Sequence, residues 1–305
     1  MIVSSFDSLI CPLDNHPLQR AGASWRCASG HTFDVAREGY IHLLPVQNKR
    51  SRDPGDSKEM VAARRRFLGA GCYQPIADAV SRAVLRETSR DSLTDVPRDA
   101  VLSCLDAGCG EGYYLRELAA ASGDVGSIAK SSIANSSLSL IGLDISKWAV
   151  LSAAKQDKRM CWVVGSNANL PVASQSLDRV LCMFGFPVYA EFLRVLKPGG
   201  LLLQVDSGPD HLRELREIIY PTLKAERTEE VPVPTGFERR SGELKSAETV
   251  RFSLDLHGQE QIADLLAMTP HLYRATAEGR ARAAALTSLL VTVDVRLTTL
   301  RVPAC

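Results

Sequence analysis

The stretch Asp106-Ala107-Gly108-Cys109-Gly110-Glu111-Gly112 decides the fold of this chain. It completes a short apolar run over Val101–Asp106, which predicts a buried strand, and it precedes a helix predicted over Tyr113–Ala121. Glycines at alternate positions let the backbone turn sharply and pass close to a ligand where a side chain would clash. The sequence therefore predicts a ligand at the carboxyl edge of a sheet, beside the start of a helix.

Two carboxylates near the glycines indicate which ligand this is. Asp106 precedes the first glycine, where its charge disfavours a pyrophosphate and suits a cationic group such as the methionine ammonium of S-adenosylmethionine. The spacing G-x-G-x-G also differs from the G-x-G-x-x-G of dinucleotide-binding proteins. Asp144 ends the next predicted strand, Leu138–Asp144, where an acid can accept hydrogen bonds from ribose hydroxyls. Asp144 alone does not separate S-adenosylmethionine from NAD.

Strands and helices alternate along the rest of the chain. Three further strands and two helices are predicted, at Met160–Val164, Leu177–Cys182, Leu201–Val205, Trp148–Ala154 and Phe192–Leu196. This alternation predicts a doubly wound parallel α/β sheet. Val250–Leu256 and Leu289–Leu297 are predicted to add an antiparallel edge, with a helix at Gln259–Met268 between them. The serine-rich segment Ser122–Ser139 is predicted to be a flexible insertion, because its composition cannot repay the entropy of ordering.

Residue types that bind metals lie near the N-terminus, in a part of the chain that is predicted to be irregular. They form two pairs with two or three residues between the members, Cys11 with Asp14 and Cys27 with His31. Such pairs can complete a tetrahedron around zinc. Asp14 stands where a second Cys is expected, and His16 is an alternative fourth ligand. A metal-free module held together by Trp25 and Phe33 is the other interpretation.

Composition sets the class of protein. The 305 residues are 45% hydrophobic and 23% charged, with a net charge of +1, so any contact with nucleic acid must come from local patches. No apolar run is long enough for a transmembrane helix, and Met1–Ile10 does not resemble a signal peptide. Eight cysteines without an export signal indicate reduced thiols or metal ligands. We therefore expect a cytoplasmic protein with no membrane contact.

A basic segment connects the two parts of the chain. Eight basic and four acidic residues lie between Arg37 and Arg66, and Lys49, Arg50 and Arg52 are predicted to contact an RNA backbone. A helix capped by Asp56 or Ser57 and a second over 75–88 are predicted to follow. The predicted organisation is a zinc-knuckle-like RNA-recognition module at 1–46, a basic linker with helices at 47–95, and a catalytic domain at 96–305.

In this order and spacing, the motifs resemble the class I S-adenosylmethionine-dependent methyltransferase fold. The motifs that carry this resemblance are Asp106–Gly112, Asp144, Gly165–Val172, Ser176–Leu181 and Leu196–Gly200. Other stretches are similar to the bacterial 23S rRNA guanine-N1 methyltransferases, a family of housekeeping enzymes and macrolide-resistance relatives. These stretches are Cys11–Leu13, Cys27, His31–Asp34, Arg37–Tyr40, Leu43–Gln47, Lys49–Asp56, Arg64–Leu68, Gly71, Tyr73–Pro75, Asp106–Tyr114 and Gly208–Leu212. The resemblance covers most of residues 8–225.

The resemblance implies a zinc-ribbon-like N-terminal domain that recognises a 23S rRNA hairpin and a Rossmann-like domain that methylates it. It implies a cofactor site lined by Tyr73, Tyr114, Leu115 and His211, and a structural zinc ion held by Cys11, Cys27 and His31. The loop after the third strand, with Asn167 and Leu170, is predicted to hold the adenine of the cofactor. A homodimer is expected from the same resemblance. The segment Phe184-Gly185-Phe186-Pro187 departs from the more polar substrate loop of the family.

The proposed reaction requires removal of the proton on guanine N1 and an extruded or unpaired target base. Asp206 and His211 are the candidates for the base, with His211 more suited to contact with the cofactor. Two alternatives stay open: a methyltransferase for a small molecule or another RNA, and a non-enzymatic RNA-binding protein.

Overall fold

The computed structural model describes residues 3–48, 51–86, 101–124, 137–221 and 243–303. Within these ranges the strands are β1 Val3–Ser4, β2 Gln19–Ala21, β3 Ser24–Arg26, β4 Thr32–Asp34, β5 Tyr40–His42, β6 Val101–Ala107, β7 Ser137–Asp144, β8 Cys161–Val164, β9 Leu177–Met183, β10 Leu196–Ser207, β11 Glu243–His257 and β12 Ser288–Arg301. The α-helices are α1 Lys58–Gly69, α2 Gln74–Arg86, α3 Tyr113–Asp124, α4 Lys147–Gln156, α5 Tyr189–Val195, α6 Arg213–Ile219, α7 Gln259–Ala267, α8 His271–Arg274 and α9 Ala277–Ala284.

The large sheet has the order β11-β12-β10-β9-β6-β7-β8-β5, and β1 pairs with β7. Strands β5 to β10 pair in parallel, while β12 runs antiparallel to both β10 and β11. The predicted doubly wound sheet with an antiparallel edge is confirmed. The strand order reverses between β6 and β9. The connections that follow these two strands run to opposite faces of the sheet, which opens a crevice at the carboxyl ends of the strands.

The N-terminal residues were predicted to be irregular, and the structure corrects this. Strands β2, β3 and β4 form a separate three-stranded sheet, while β1 and β5 pair in parallel with β7 and β8 of the large sheet. Each of these strands has only two or three residues, which is too short for an alternating pattern to show in the sequence. Strands that precede and follow the small sheet in the chain thus belong to the large sheet. The module boundary at residue 46 stays a prediction.

Two other differences concern the ends of elements and short helices. Helix α3 continues to Asp124 and β7 begins at Ser137, so both ends of the predicted serine-rich insertion are regular, while residues 125–136 lie outside the described part. Helices α6, α8 and α9 were not predicted, because four to eight residues carry little helical periodicity. Among the described residues, no helix combines the length and apolar character needed to span a bilayer.

A buried tryptophan supports the glycine-rich loop from below. Trp162 in β8 is 1% exposed, and its indole nitrogen donates a hydrogen bond to the Asp157 carbonyl at 2.6 Å. Its ring fills the space that a Cβ would occupy at Gly112, 2.5 Å away, and at Gly142, 2.3 Å away. Both positions therefore need glycine, one in the loop and one in the middle of β7.

We expect Gly142→Ala to lower the free energy of unfolding by about 2–3 kcal/mol, because the added methyl group overlaps the ring of Trp162. Urea unfolding monitored by tryptophan fluorescence measures the change. Gly69→Ala is the matched control, since no atom lies within 4 Å of a Cβ built at this helical residue. Equal stabilities of the Gly142→Ala and Gly69→Ala variants would contradict this packing.

Candidate functional site

A cleft of about 1970 Å³ opens at the carboxyl ends of the parallel strands. Most residues predicted for the cofactor or for catalysis line it: Tyr73, Gly108, Gly110, Tyr114, Asp144, Asn167, Asp206 and His211. They come from six segments of the chain, and the fold brings them to one edge of the sheet. The cleft is therefore the candidate active site.

Three predicted residues do not line the cleft. Leu115 and Leu170 are fully buried in the apolar cores on the two sides of the sheet. Leu115 follows Tyr114 on a helix, where one residue turns the side chain by about 100° and so away from the cleft. The main-chain N–H of Leu170 is bonded to the Glu191 carboxylate at 2.8 Å. The third, Asp106, lies fully buried beneath the glycine loop.

The loop has the backbone conformation that its glycines predict. Gly108, Gly110 and Gly112 have φ angles of 102°, 55° and 83°, in the region that favours glycine. The N–H groups of Gly108 and Cys109 both donate to the Leu143 carbonyl, at 2.8 and 2.9 Å, which ties the loop to β7. The loop is thus held against the strand that ends in Asp144.

Asp144 connects the loop to the next helix. Its two carboxylate oxygens accept hydrogen bonds from the Gly110 N–H at 2.9 Å and the Ser146 N–H at 2.8 Å. Burial raises the pKa of this carboxyl above its usual range, and the two N–H donors oppose that shift. The carboxylate is fixed in place and retains lone pairs for hydroxyl groups of a ligand.

Asp106 is a buried acid that has no hydrogen-bond partner among the described residues. Neither of its carboxylate oxygens is bonded, and the side chain is 0% exposed. Burial raises the pKa of Asp106 to about 8, and the nearby charge of Asp144 adds to this effect. An unpaired buried acid is costly, so the site fits a ligand that brings positive charge to this end of the cleft. The ammonium and sulfonium groups of S-adenosylmethionine have that charge.

Asn167, in the loop after β8, adds a second unsatisfied acceptor. Its amide nitrogen donates to the Ala107 carbonyl at 3.3 Å, while its oxygen is buried and unbonded. An acceptor held this way suits an exocyclic amino group such as that of adenine. The position agrees with the prediction for this loop, and the role of Asn167 stays a prediction.

His211 is held as a neutral ring. Its Nδ1 accepts a hydrogen bond from the Asp294 N–H at 3.3 Å, so the proton of the neutral imidazole lies on Nε2, which is 3.5 Å from the Tyr73 hydroxyl. Burial lowers the pKa of His211 to about 4. With one nitrogen already accepting and the other carrying the proton, His211 is a hydrogen-bond donor to the cleft and is poorly placed to act as a base.

Asp206 is better placed to accept a proton. It ends β10 and lines the cleft, and one carboxylate oxygen accepts a hydrogen bond from Gln204 at 2.8 Å. The side-chain oxygen of Gln204 accepts in turn from the Tyr189 hydroxyl at 3.0 Å. Burial raises the pKa of Asp206 above its usual range, which brings its basicity closer to neutral pH.

Sequence reasoning missed Asp294 and gave no role to Phe184, although it named the segment Phe184-Gly185-Phe186-Pro187 as a departure from the substrate loop. Phe184 has a φ of 53°, a strained conformation for a bulky residue that costs on the order of 1 kcal/mol or more, and its ring stacks on His211 at 5.8 Å. Asp294 in β12 holds the His211 loop, because its carboxylate accepts from the Asp210 N–H at 3.1 Å. Phe184 could have been found from its place after β9. Asp294 is 83 residues from His211, and no local pattern connects the two.

The four predicted metal ligands converge in the N-terminal module. Their ligand atoms all lie within 4.8 Å of one another. The His31 Nδ1 is 3.5 Å from the Cys11 Sγ, 3.4 Å from the Cys27 Sγ and 3.0 Å from an Asp14 oxygen. A tetrahedron with zinc–ligand bonds of about 2.0–2.3 Å has edges of about 3.3–3.8 Å, close to these distances. The cluster is therefore compatible with zinc.

His16 lies beside this cluster. It is exposed, its Nδ1 is 3.2 Å from the Ser29 hydroxyl, and its main-chain N–H donates to the Asp14 carboxylate at 3.0 Å. The geometry favours Asp14 as the fourth ligand, with His16 orienting it.

Comparison with known proteins gives the same assignment. Residues 9–52 match the zinc-ribbon family described as "RlmA, N-terminal", and residues 104–200 match a methyltransferase domain. YxjB of Bacillus subtilis is 32% identical over 95% of both chains, and a Micromonospora griseorubida protein is 33% identical over 95% of both. Both carry the provisional name 23S rRNA (guanine-N1)-methyltransferase. The 23S rRNA (guanine(748)-N1)-methyltransferase of Streptomyces fradiae is 34% identical over 68% of this chain and 66% of its own.

The chain belongs to the 23S rRNA (guanine-N1)-methyltransferase family. The predicted family, fold and enzyme class are thereby confirmed. As a member of this family, it uses S-adenosylmethionine as its cofactor, and the glycine loop lines the cleft at the carboxyl ends of the parallel strands. The exact residue roles in this methyltransferase stay predictions.

We expect Asp106→Asn to weaken S-adenosylmethionine binding at least tenfold in isothermal titration calorimetry, because an amide cannot ionise to balance the positive charge of the cofactor. An acid whose pKa is raised on folding destabilises the fold above its unfolded pKa, because the unfolded chain then releases the proton more readily than the folded chain does. For Asp106 the penalty is absent below the unfolded pKa of about 4 and grows as the pH rises towards about 8. Without cofactor, the variant should therefore unfold at a higher temperature than the wild type at pH 8, with little difference at pH 4. Asp255→Asn, at an exposed carboxylate, is the control; wild-type cofactor affinity in Asp106→Asn would refute the assignment.

We expect the purified protein to contain about one zinc ion per chain, and Asp14→Cys to hold it more tightly because thiolate is a softer ligand. Asp14→Ala should lose zinc to a chelator at lower concentration than the wild type. Metal analysis after dialysis against graded chelator measures this order. His16→Ala should lose its metal only slightly more readily than the wild type. If instead His16→Ala loses the metal and Asp14→Ala keeps it, the fourth ligand is His16.

Proposed function

We propose that this protein transfers the methyl group of S-adenosylmethionine to N1 of a guanine in a 23S rRNA hairpin. The observation that carries the proposal is the buried carboxylate of Asp106, which has no hydrogen-bond partner among the described residues and directly precedes the glycine loop that lines a cleft of about 1970 Å³. The same chain carries a metal-binding cluster in its N-terminal module, and the relatives named for this reaction match 95% of the chain.

The cofactor supplies an activated methyl group, so the protein's main task is alignment. Asp106 favours a cationic ligand, and Asp144 accepts from hydroxyl groups on the same side of the loop. The Tyr73 and Tyr114 side chains line the cleft, and His211 presents an N–H. These groups together fix the orientation of S-adenosylmethionine, the methyl donor, with respect to the rest of the cleft.

Asp206 is the residue we assign to the proton on guanine N1. It lies near the carboxyl end of β10, two strands away from β6 in the sheet, and one of its two oxygens stays available after the bond from Gln204. Loss of the proton makes N1 nucleophilic, and a carboxylate with a raised pKa accepts it more readily than an ordinary one. No metal takes part in this step, and the zinc site is assigned a structural role.

The RNA is proposed to contact the N-terminal module and the basic segment after it. Arg52 is exposed, as the prediction of a backbone contact requires, while Lys49 and Arg50 lie outside the described residues. The division into modules at residues 46 and 95, the homodimer and a cytoplasmic location remain parts of the proposal, to be tested by limited proteolysis, light scattering and cell fractionation.

Methyl transfer to unmodified 23S rRNA fragments, followed by nucleoside mass spectrometry, tests the proposed function. We expect 1-methylguanosine and no other methylated nucleoside. Methyl transfer to small molecules from a cell extract, with none to the RNA fragments, would support the alternative of a small-molecule methyltransferase and refute the proposal.

We expect Asp206→Asn to lower kcat for RNA methylation about 100-fold or more, with little change in cofactor affinity, because an amide cannot accept the proton. In the wild type, kcat should rise with pH as Asp206 loses its proton. The midpoint of this acidic limb of the pH profile should lie at a higher pH than for an ordinary aspartate, because burial raises the pKa of Asp206. The limb should be absent in the variant. Asp255→Asn serves as the control, and an unchanged kcat and pH profile in Asp206→Asn would exclude this role.

A further inference from the structure

Two aromatic rings lie at the mouth of the cleft in the segment between β9 and α5. Eight large apolar side chains are exposed in the described part of the chain, and of these only Phe184 and Phe186 line the cleft. Phe186 is 91% exposed, the highest fraction in that set. Two exposed aromatic rings in one short segment that lines a cleft indicate a surface that a ligand covers, unlike an exposed ring that stands alone elsewhere on the surface.

The backbone holds these rings in place. The Phe184 N–H donates to the Val205 carbonyl at 2.8 Å, which fixes the start of the segment to β10. Pro187 follows Phe186 and restricts it to extended conformations. Phe186 is thus presented to solvent by a constrained main chain, which reduces the entropy lost when a ligand covers it.

Phe184 occupies the inner position. Its ring is 38% exposed and lies against His211 and Tyr73, with ring centroids 5.8 and 6.1 Å apart. Its strained backbone turns the ring towards the residues that line the cofactor end of the cleft. The outer ring, Phe186, has no aromatic neighbour among the ring contacts of the described residues.

The surroundings indicate what kind of molecule covers Phe186. Polar and charged side chains line the same cleft, among them Ser166, Asn169 and Arg296. A flat ligand with an aromatic face and hydrogen-bonding edges fits an isolated ring in a polar rim, whereas an apolar peptide would need a wider apolar surface. A nucleobase has that form, and stacking on aromatic side chains is a common way to hold unpaired bases.

We propose that Phe186 stacks on a nucleobase of the RNA at the entrance of the cleft and positions the strand so that the target guanine reaches the cofactor. This inference rests on the proposed function and adds a substrate-binding residue to it. Stacking needs a ring and no charge, so its contribution should depend on aromaticity and be insensitive to salt.

The test compares Phe186→Leu with Phe186→Tyr, using a 23S rRNA fragment and measuring Kd, KM and kcat. Stacking on one base contributes about 1–3 kcal/mol, so Phe186→Leu should raise Kd and KM for RNA about 5- to 150-fold. Phe186→Tyr should stay within about twofold of the wild type, since it keeps the ring. The slope of log Kd against log salt should be the same in all three proteins, because no phosphate contact changes.

Leu290→Ala is the matched control, since Leu290 is also exposed and does not line the cleft. Cofactor affinity and the unfolding temperature of Phe186→Leu should equal those of the wild type. Equal RNA affinities of Phe186→Leu and the wild type would overturn the proposal. A change in oligomeric state with unchanged RNA affinity would overturn it too and assign the ring to a protein contact.

The RNA-binding measurement separates this inference from the proposed function. If the wild type forms no 1-methylguanosine, the proposed function fails, and weaker RNA binding by Phe186→Leu would still support stacking. If the wild type methylates the RNA and Phe186→Leu binds it equally well, the stacking inference alone fails.

Discussion

The site depends on one packing constraint: a large indole ring lies under a loop in which every second residue is glycine. Trp162 fills the space next to Gly112 and Gly142, which only hydrogen atoms can share with it. The ring supports the loop from below, and hydrogen bonds from the loop to Leu143 hold it against β7. Interiors packed at this density transmit small displacements, so the position of the loop is set by the core as much as by its own glycines.

Burial of negative charge is the second feature that shapes the site. Asp106 and Asp144 lie on neighbouring strands, and burial raises the pKa of both. The charge of Asp144 adds to the shift of Asp106, which has no donor among the described residues to offset the cost. The free protein thus carries an electrostatic penalty that a cationic ligand relieves. The cost of burying an unpaired carboxylate makes Asp106 unfavourable for folding, and relief of that cost by a cation makes it favourable for binding.

The antiparallel pair of strands β11 and β12 contributes to the site from one edge of the large sheet. Strand β12 pairs with β10, so Asp206 and Arg296 lie opposite each other in register. Asp294 on the same strand accepts from Asp210 and donates to His211. Gly208 allows this contact, because a Cβ there would lie 2.5 Å from the Asp294 carboxylate. The loop that presents His211 is therefore shaped by residues of the antiparallel edge.

The sequence by itself determined the parallel sheet and the glycine loop, and it located the two acids and the four candidate metal ligands. These depend on local features: apolar runs with a strand period, glycines that permit positive φ, and paired ligands at short spacing. Other features could not be predicted from it: the short strands β1 to β5, the burial of Leu115 and Leu170, the unpaired state of Asp106, and the contact of Asp294 with His211. Each of these results from packing between segments distant in the chain. Tertiary structure alone decided them, because burial and long-range hydrogen bonds depend on which surfaces meet and leave no periodic trace in the sequence.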